Sequence, residues 1–144
     1  MKIALASDHG GFSLKEEVKR ALLAQGHEVV DLGTDSEESV DYPVFAQKCA
    51  QAVASGDCGR GILFCGTGIG MCMAANKVKG IRCAVATSDE YARLAAEHNH
   101  ANILALGGRF TEPADALRYI GIWLTTEWAG GRHGRRVEEL DEML

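Results

Sequence analysis

Residues 61–76, Gly-Ile-Leu-Phe-Cys-Gly-Thr-Gly-Ile-Gly-Met-Cys-Met-Ala-Ala-Asn, constrain the fold more than any other stretch. The apolar run Ile62 to Phe64 reads as a buried strand and Met71 to Asn76 as the opening of a helix, so the intervening glycines form a strand-to-helix turn. Backbone N–H groups in such a turn, with a helix N-terminus behind them, aim at one point suited to an anion. Cys65 ends the strand immediately before the turn, where the same field acts on its sulfur. The rest of the chain repeats this strand-to-helix unit.

Lys2 to Ser7 reads as a strand that stops at the polar loop Asp8-His9-Gly10-Gly11. Leu14, Val18, Ala21 and Leu22 then share one helical face, which Gly26 ends. Glu28 to Leu32 is a second strand, and Pro43 fits the first turn of a helix whose buried stripe is Phe45, Cys49, Ala52 and Val53. Beyond the glycine turn, Ile81 to Ala86 is strand four. Asp89 to Glu97 is a helix with Tyr91, Leu94 and Ala95 inward, and His98 prolongs that face. Ile103 to Leu106 is strand five, closed by Gly107-Gly108-Arg109. Leu117, Ile120, Leu124 and Trp128 define one long helix, and Val137, Leu140 and Leu144 mark a last one beyond Gly130-Gly131.

Strands alternating with helices imply a parallel sheet covered on both faces. The expected fold is a three-layer α/β/α sandwich around five parallel strands, Rossmann-like, forming a single domain over residues 1–144. Residues 112–144 are expected as a helical extension that packs on a partner subunit. Ligands of such sheets collect at the carboxyl ends of the strands. Asp8-His9, Cys65-Gly66-Thr67 and Arg109 all follow strands directly, so three loops converge on one edge.

The net charge of -5 argues against a general nucleic-acid or membrane surface, although Arg109, Arg132, Arg135 and Arg136 fall in the last third. Local basic charge on an acidic chain points to a small anionic ligand. No run approaches membrane-spanning length, and five cysteines without a CxxC pair favour reduced thiols, so a cytoplasmic protein is expected.

Two familiar glycine motifs fail. The dinucleotide fingerprint would need a small residue at 71 or 73, and both are Met; a P-loop would need a Gly-Lys-Ser/Thr ending that residues 66–77 lack. An oxyanion cradle beside a thiol remains, against the plainer reading that the turn only lets a helix pack tightly, with Cys65 as filler. Other polar residues carry similar alternatives. His98-Asn99-His100 could be a metal half-site, but no second cluster with ligand spacing accompanies it, and a helix-end histidine is the bland alternative to catalysis. Arg132 and Arg136, spaced by four, present two guanidinium forks on one helix side, as a phosphate would require. The competitor is a solvated basic turn with Glu138 and Glu139 as partners, a reading that Arg135 fits better.

Together these residues resemble ribose-5-phosphate isomerases of the B type, a family that includes galactose-6-phosphate and allose-6-phosphate isomerases. The resemblance rests on Ser-Asp-His-Gly-Gly at 7–11, Asp-Tyr-Pro at 41–43, Cys-Gly-Thr-Gly-Ile-Gly at 65–70 and Ala-Ala-Asn-Lys at 74–77. It extends through Glu-His-Asn at 97–99, Gly-Gly-Arg at 107–109 and Gly-Gly-Arg-His at 130–133. It implies an aldose–ketose isomerase that uses neither metal nor cofactor and works through an enediolate. Cys65 would then be the base, His98 would assist ring opening and Thr67 would relay a proton. Gly66, Thr67, Gly68, Ile69 and Gly70 would hold the enediolate oxygen. Asp8 and His9 would contact the sugar and its phosphate end, Asn99 would bind substrate, and Arg109, Arg132 and Arg136 would hold the phosphate. A branch of the family carries a glutamate base where this chain has Met71, which places the chain in the cysteine branch. The resemblance also implies a homodimer or homotetramer with sites completed across a subunit interface. Ribose 5-phosphate is the leading substrate; a hexose 6-phosphate isomerase and a non-catalytic sugar-phosphate sensor are the alternatives.

Overall fold

The computed structural model describes residues 1–144, in the order β1 (Lys2–Ser7), α1 (Phe12–Ala24), β2 (Glu28–Asp31), α2 (Tyr42–Ala54), β3 (Arg60–Cys65), α3 (Ile69–Ala75). There follow β4 (Cys83–Val85), α4 (Asp89–Glu97), β5 (Ile103–Gly107), α5 (Pro113–Thr125) and α6 (Arg132–Glu142). The five strands are all parallel and lie in the order β2-β1-β3-β5-β4. The expected sandwich is therefore observed.

Strand alternation divides the core into two unequal layers. Ile3, Leu5, Ile62, Phe64, Leu104 and Leu106 face α1, α4 and α5, and each such fully buried side chain contributes about 1.5–3 kcal/mol. Ala4, Ala6, Leu63, Cys65, Ile103 and Ala105 face the other way, onto α2 and α3. Small residues on the sheet and Ala46, Cys49, Ala50 and Val53 on α2 let that helix lie close. A Cβ added at Gly61 would stand 2.7 Å from the Cys49 sulfur. Cys65 thus lies under the thin layer, beside α3.

Local signals set most helix ends. Gly26, with φ +88°, ends α1: the His27 N–H donates to Leu22 C=O and the Gly26 N–H to Leu23 C=O, the paired bonds of a Schellman stop. Ser88 caps α4 by accepting the Tyr91 N–H at 3.1 Å. Lys15, wholly buried in α1, donates to both Asp31 oxygens at 2.7 and 2.8 Å and so ties that helix to the edge strand β2.

Three expectations are corrected. The α4 face that is buried consists of Ala92, Ala95 and Ala96, while Tyr91 is 61% exposed, because the short strand β4 is the sheet edge and nothing in the chain covers its outer side. The long helix ends at Thr125, where Thr126 turns extended, and Trp128 lies beyond it, stacked on His100 at 4.7 Å. Because α5 buries Ala116, Tyr119, Ile120 and Trp123 in the core, the extension proper begins only at residue 126.

Candidate active site

The chain leaves β1 for β2 on one side and reaches β3 on the other, so the carboxyl ends of β1 and β3 flank the crevice where ligands of such sheets bind. Three loops are packed together there by glycine. A Cβ on Gly11 would fall 2.3 Å from the Phe64 carbonyl carbon, and one on Gly108 would fall 2.7 Å from the Gly10 oxygen. The Gly108 N–H donates to the Cys65 carbonyl at 2.7 Å, and the Arg109 N–H to that of Gly66 at 3.1 Å.

Within this knot Cys65 is 5% exposed and its sulfur accepts the Gly68 N–H at 3.1 Å. Gly68 adopts φ +84°, a conformation that costs an L side chain roughly 1–2 kcal/mol, and this turns its N–H back onto the sulfur. Thr67 Oγ1 accepts the Ile69 N–H at 3.1 Å, leaving the hydroxyl proton free to donate. The N–H groups of Gly66, Thr67 and Gly70 find no acceptor in the protein. Asp8, nearly buried, accepts the N–H groups of Gly10 and Gly11 on Oδ1 at 2.9 and 3.1 Å, which leaves Oδ2 without a partner in the protein. His9 accepts the Val40 N–H on Nδ1 at 3.2 Å, so its proton resides on Nε2, a donor. The Arg109 guanidinium covers Gly66 and Gly10, with Nη1 2.9 Å and Nη2 3.4 Å from where their Cβ atoms would be.

The remaining candidates lie at the opposite edge. Helix α4 starts beyond the carboxyl end of β4 and runs back, so it delivers His98 and Asn99 to the amino ends of the strands. His100 C=O accepts from Arg82 Nε at 2.8 Å, just before β4, and Asn102 C=O accepts the Gly61 N–H at 3.0 Å at the start of β3. The 126–144 segment folds over the same edge: the Ala129 N–H donates to Glu97 C=O at 3.0 Å, and His133 stacks on His98 at 4.2 Å. Desolvation, then the neighbouring His98 ring and the Arg132 and Arg136 guanidinium groups, hold His133 below the usual imidazole range. Burial, then Arg82 and Arg60, does the same to His100. The two histidines flanking Asn99 thus stack on different rings, His133 and Trp128. Arg135 pairs with Glu139 at 3.8 Å, as the solvated reading expects, whereas Arg132, Arg136 and Arg109 form no ion pair.

Within one chain, therefore, the structure gathers Asp8, His9, Cys65, Gly66, Thr67, Gly68, Ile69, Gly70 and Arg109, and separately His98, Asn99, Arg132 and Arg136. Strand β3 spans the gap, roughly 17 Å for its six residues. The expected meeting of Arg109 with Arg132 and Arg136 does not occur inside the chain. Two further neighbours had no role in the sequence reading: His133, and Tyr42, whose ring lies against Gly70. The sequence signal for Tyr42 was its place in Asp41-Tyr42-Pro43 at a helix start.

The family model for Ribose/Galactose Isomerase matches residues 3–140. The chain belongs to the ribose/galactose isomerase family. As a member, it is an isomerase on the fold that its relatives share. It is 45% identical to ribose-5-phosphate isomerase B of Escherichia coli over 139 residues, covering 96% of this chain and 93% of that one. It superposes on ribose-5-phosphate isomerase B of Clostridium thermocellum with TM-score 0.98 at 53% identity, covering 99% and 97% of the two chains. The Mycoplasma genitalium ribose-5-phosphate isomerase B with bound ribulose-5-phosphate gives TM-score 0.92 at 41% identity, covering 97% and 93%.

Proposed function

We propose that the chain interconverts ribose 5-phosphate and ribulose 5-phosphate through a cis-enediolate, with Cys65 as the base. The observation that carries this reading is the Cys65 sulfur, held by the Gly68 N–H at 3.1 Å beside the unpaired N–H groups of Gly66, Thr67 and Gly70. The Cys65 thiolate takes the proton from C2 of the open aldose. Its electron pair forms the C1–C2 double bond, the carbonyl oxygen on C1 becomes the enediolate oxygen, and a proton returned to C1 completes the ketose. Donors fixed where that charge develops are each worth about 3 kcal/mol in the transition state. Thr67, with its hydroxyl proton free, serves the exchange between the two oxygens.

Ring opening requires a proton moved from the anomeric hydroxyl to the ring oxygen, the role given to His98. Because His98, Asn99, Arg132 and Arg136 sit at the amino edge, a second copy of the chain supplies them, in a homodimer or a larger homo-oligomer. The uncovered flank of β4 supports such a contact: Tyr91 and Leu94 stand exposed or half-buried beside Asn99 around a shallow cavity of about 310 Å³. Phosphate then lies between Arg109 of one copy and Arg132 and Arg136 of the other, all three free of carboxylate partners. No cofactor or metal enters this scheme, no helix is long and apolar enough to cross a membrane, and all five cysteines are free thiols, which fits the cytoplasm.

The test is ribulose 5-phosphate formation from ribose 5-phosphate by the native chain and by Cys65→Ala. Loss of a general base predicts a rate lower by about 10²–10⁴ with the sugar phosphate still bound. Turnover confined to six-carbon phosphates would assign the chain to the hexose branch, and binding without any turnover would make it a sensor.

A further inference from the structure

Cys72 on α3 and Cys83 at the start of β4 are half-buried, whereas Cys49, Cys58 and Cys65 are buried. Both pack on the α2 and α3 side of the sheet, so their thiols meet in the seam between α3 and β4. The Cys83 S–H donates to the Cys72 sulfur, and Asn76 Nδ2 reaches the same sulfur at 3.5 Å. Asn76 also fixes the strand: its Oδ1 accepts the Cys83 N–H at 2.7 Å and its Nδ2 donates to the Cys83 C=O at 3.0 Å. When protonated, the Cys72 thiol donates to that C=O at 3.3 Å. The bond from Cys83, with burial opposing and Asn76 aiding, holds the Cys72 thiol below its ordinary value, and the same bond with burial raises Cys83. Cys72 is therefore the readier nucleophile of the two. A cavity of about 400 Å³ lined by Asn76, Ile81, Cys83, Leu140 and Met143 opens beside the seam and is wide enough for a small solute. Neither thiol has a part in the proposed isomerisation, yet the seam is joined to it. The Cys72 N–H donates to the Gly68 C=O at 3.1 Å, and the Gly68 N–H holds the Cys65 sulfur at 3.1 Å.

We propose that Cys72 and Cys83 form a reversible disulfide, a redox modification site that couples the α3–β4 seam to the Cys65 turn. The oxidant is a hydroperoxide. The Cys72 thiolate attacks one peroxide oxygen, the O–O bond breaks, and Cys72 becomes a sulfenic acid as the other oxygen leaves. The Cys83 sulfur then attacks the Cys72 sulfur, the S–S bond forms, and the sulfenic oxygen departs as water with the Cys83 proton. With hydrogen peroxide, the two thiols lose two electrons and two hydrogens in all, and two waters form. A dithiol reductant reverses the oxidation, so in a reducing compartment the bond is transient, as in a redox sensor. A covalent bond between sulfurs now in hydrogen-bond contact shortens their separation by about 1 Å or more. That shift acts on α3 at the residue bonded to Gly68, and a displacement of about 1 Å in a catalytic group lowers the rate by up to about 10²-fold. The effect on turnover rests on the isomerase reading above; the disulfide itself does not.

The test treats the full native chain, Cys83→Ser and Cys72→Ser with hydrogen peroxide, blocks the remaining thiols with iodoacetamide and maps the tryptic peptides without reduction. In the native chain the peptide 61–77 joins the peptide 83–93 with loss of two hydrogens, and fragmentation assigns the bond to Cys72 rather than to Cys65 on the same peptide. As the bond forms, kcat for ribose 5-phosphate falls by about tenfold or more, and dithiothreitol restores it. Each serine variant forms no such bond and keeps its kcat through the same treatment, and either variant suffices should the other fail to fold. Cys72 and Cys83 that stay reduced, or a bond from Cys83 to Cys65, overturns the modification site. A complete bond with kcat unchanged, or equal loss in the serine variants, overturns its coupling to the Cys65 turn. A native chain that turns over no sugar phosphate defeats the isomerase reading, while the peptide map still decides whether the disulfide forms.

Discussion

Mixing two inactive variants puts the division of the site to a direct test. Cys65 and His98 stand at opposite edges of the sheet, roughly 17 Å of strand β3 apart, and the packed core between them leaves no route for one to reach the other. If each site joins the Cys65 edge of one copy to the His98 edge of its partner, Cys65→Ala and His98→Gln are each inactive as homodimers, by about 10²-fold or more. A mixed dimer differs. One of its sites combines two altered residues, and the other combines the intact Cys65 of the His98→Gln chain with the intact His98 of the Cys65→Ala chain. Random re-pairing at equal concentration makes half the dimers mixed, and each has one good site of two, so about a quarter of native activity returns. The assay is ribulose 5-phosphate formation before and after subunit exchange through mild denaturation, with exchange verified by mass. Exchange without recovered activity would refute the shared site, as would full activity in His98→Gln alone.

Four other outcomes follow from the same geometry. Gly11→Ala should cost about 1–3 kcal/mol or more in urea titration, because its Cβ would lie 2.3 Å from the Phe64 carbonyl carbon in a packed interior; a neutral effect would mean that the loops are not interlocked. Asp31→Asn leaves the wholly buried Lys15 ammonium with Glu16 alone at 3.2 Å, and should destabilise the fold by about 3 kcal/mol, read as a lower urea midpoint. His100 and His133 are held below the ordinary value of 6.5 in the folded chain, so protons bind the unfolded chain more readily; stability is full above that value and falls as the pH drops below it. A melting temperature that does not fall between pH 7.5 and 5.5, or that falls equally in His100→Asn/His133→Asn, would contradict this. Iodoacetamide should modify Cys72, whose thiol is drawn down by its contact with Cys83, before Cys49, which burial pushes up to about 12, and peptide mass mapping over time decides the order.

The fold was legible because both faces of the sheet are covered. Strands buried on two sides write continuous apolar runs such as Ile3-Ala4-Leu5-Ala6 and Ile62-Leu63-Phe64, and the helices between them carry one stripe each. Where that condition lapses, the reading slipped. Helix α4 flanks the edge strand β4, so Tyr91 and Leu94 recur at the right interval for a core face yet lack a core to enter within the chain. Trp128 extends the spacing of Leu117 and Leu124 in the same deceptive way, but its ring rests on His100 rather than on the sheet. Apolar periodicity marks a face without saying whether the chain's own core covers it.

The candidate site was legible by halves, and the rule that divides it is topological. In a parallel sheet a residue directly after a strand lies at the carboxyl edge, whereas one at the end of the following helix has been carried back to the amino edge. Asp8, Cys65 and Arg109 satisfy the first condition and meet. His98 and Asn99 end α4 and satisfy the second. The motifs Cys-Gly-Thr-Gly-Ile-Gly and Glu-His-Asn therefore cannot serve one cavity within one chain, although nothing in their composition distinguishes the two edges. The stack of His98 on His133 and the unpaired Arg132 and Arg136 give the amino edge its own preorganised group, an imidazole with two free guanidinium forks. The carboxyl edge has what this group lacks, a thiol and a row of unpaired N–H donors. Each half lacks the group the proposed mechanism draws from the other: the carboxyl edge holds Cys65 without His98, and the amino edge holds His98 without Cys65. In the proposed homo-oligomer a second copy, turned so that the flank of β4 is covered, joins them. On this reading the same contact that buries Tyr91 and Leu94 also completes the chemistry, so loss of the oligomer and loss of activity should coincide on dilution.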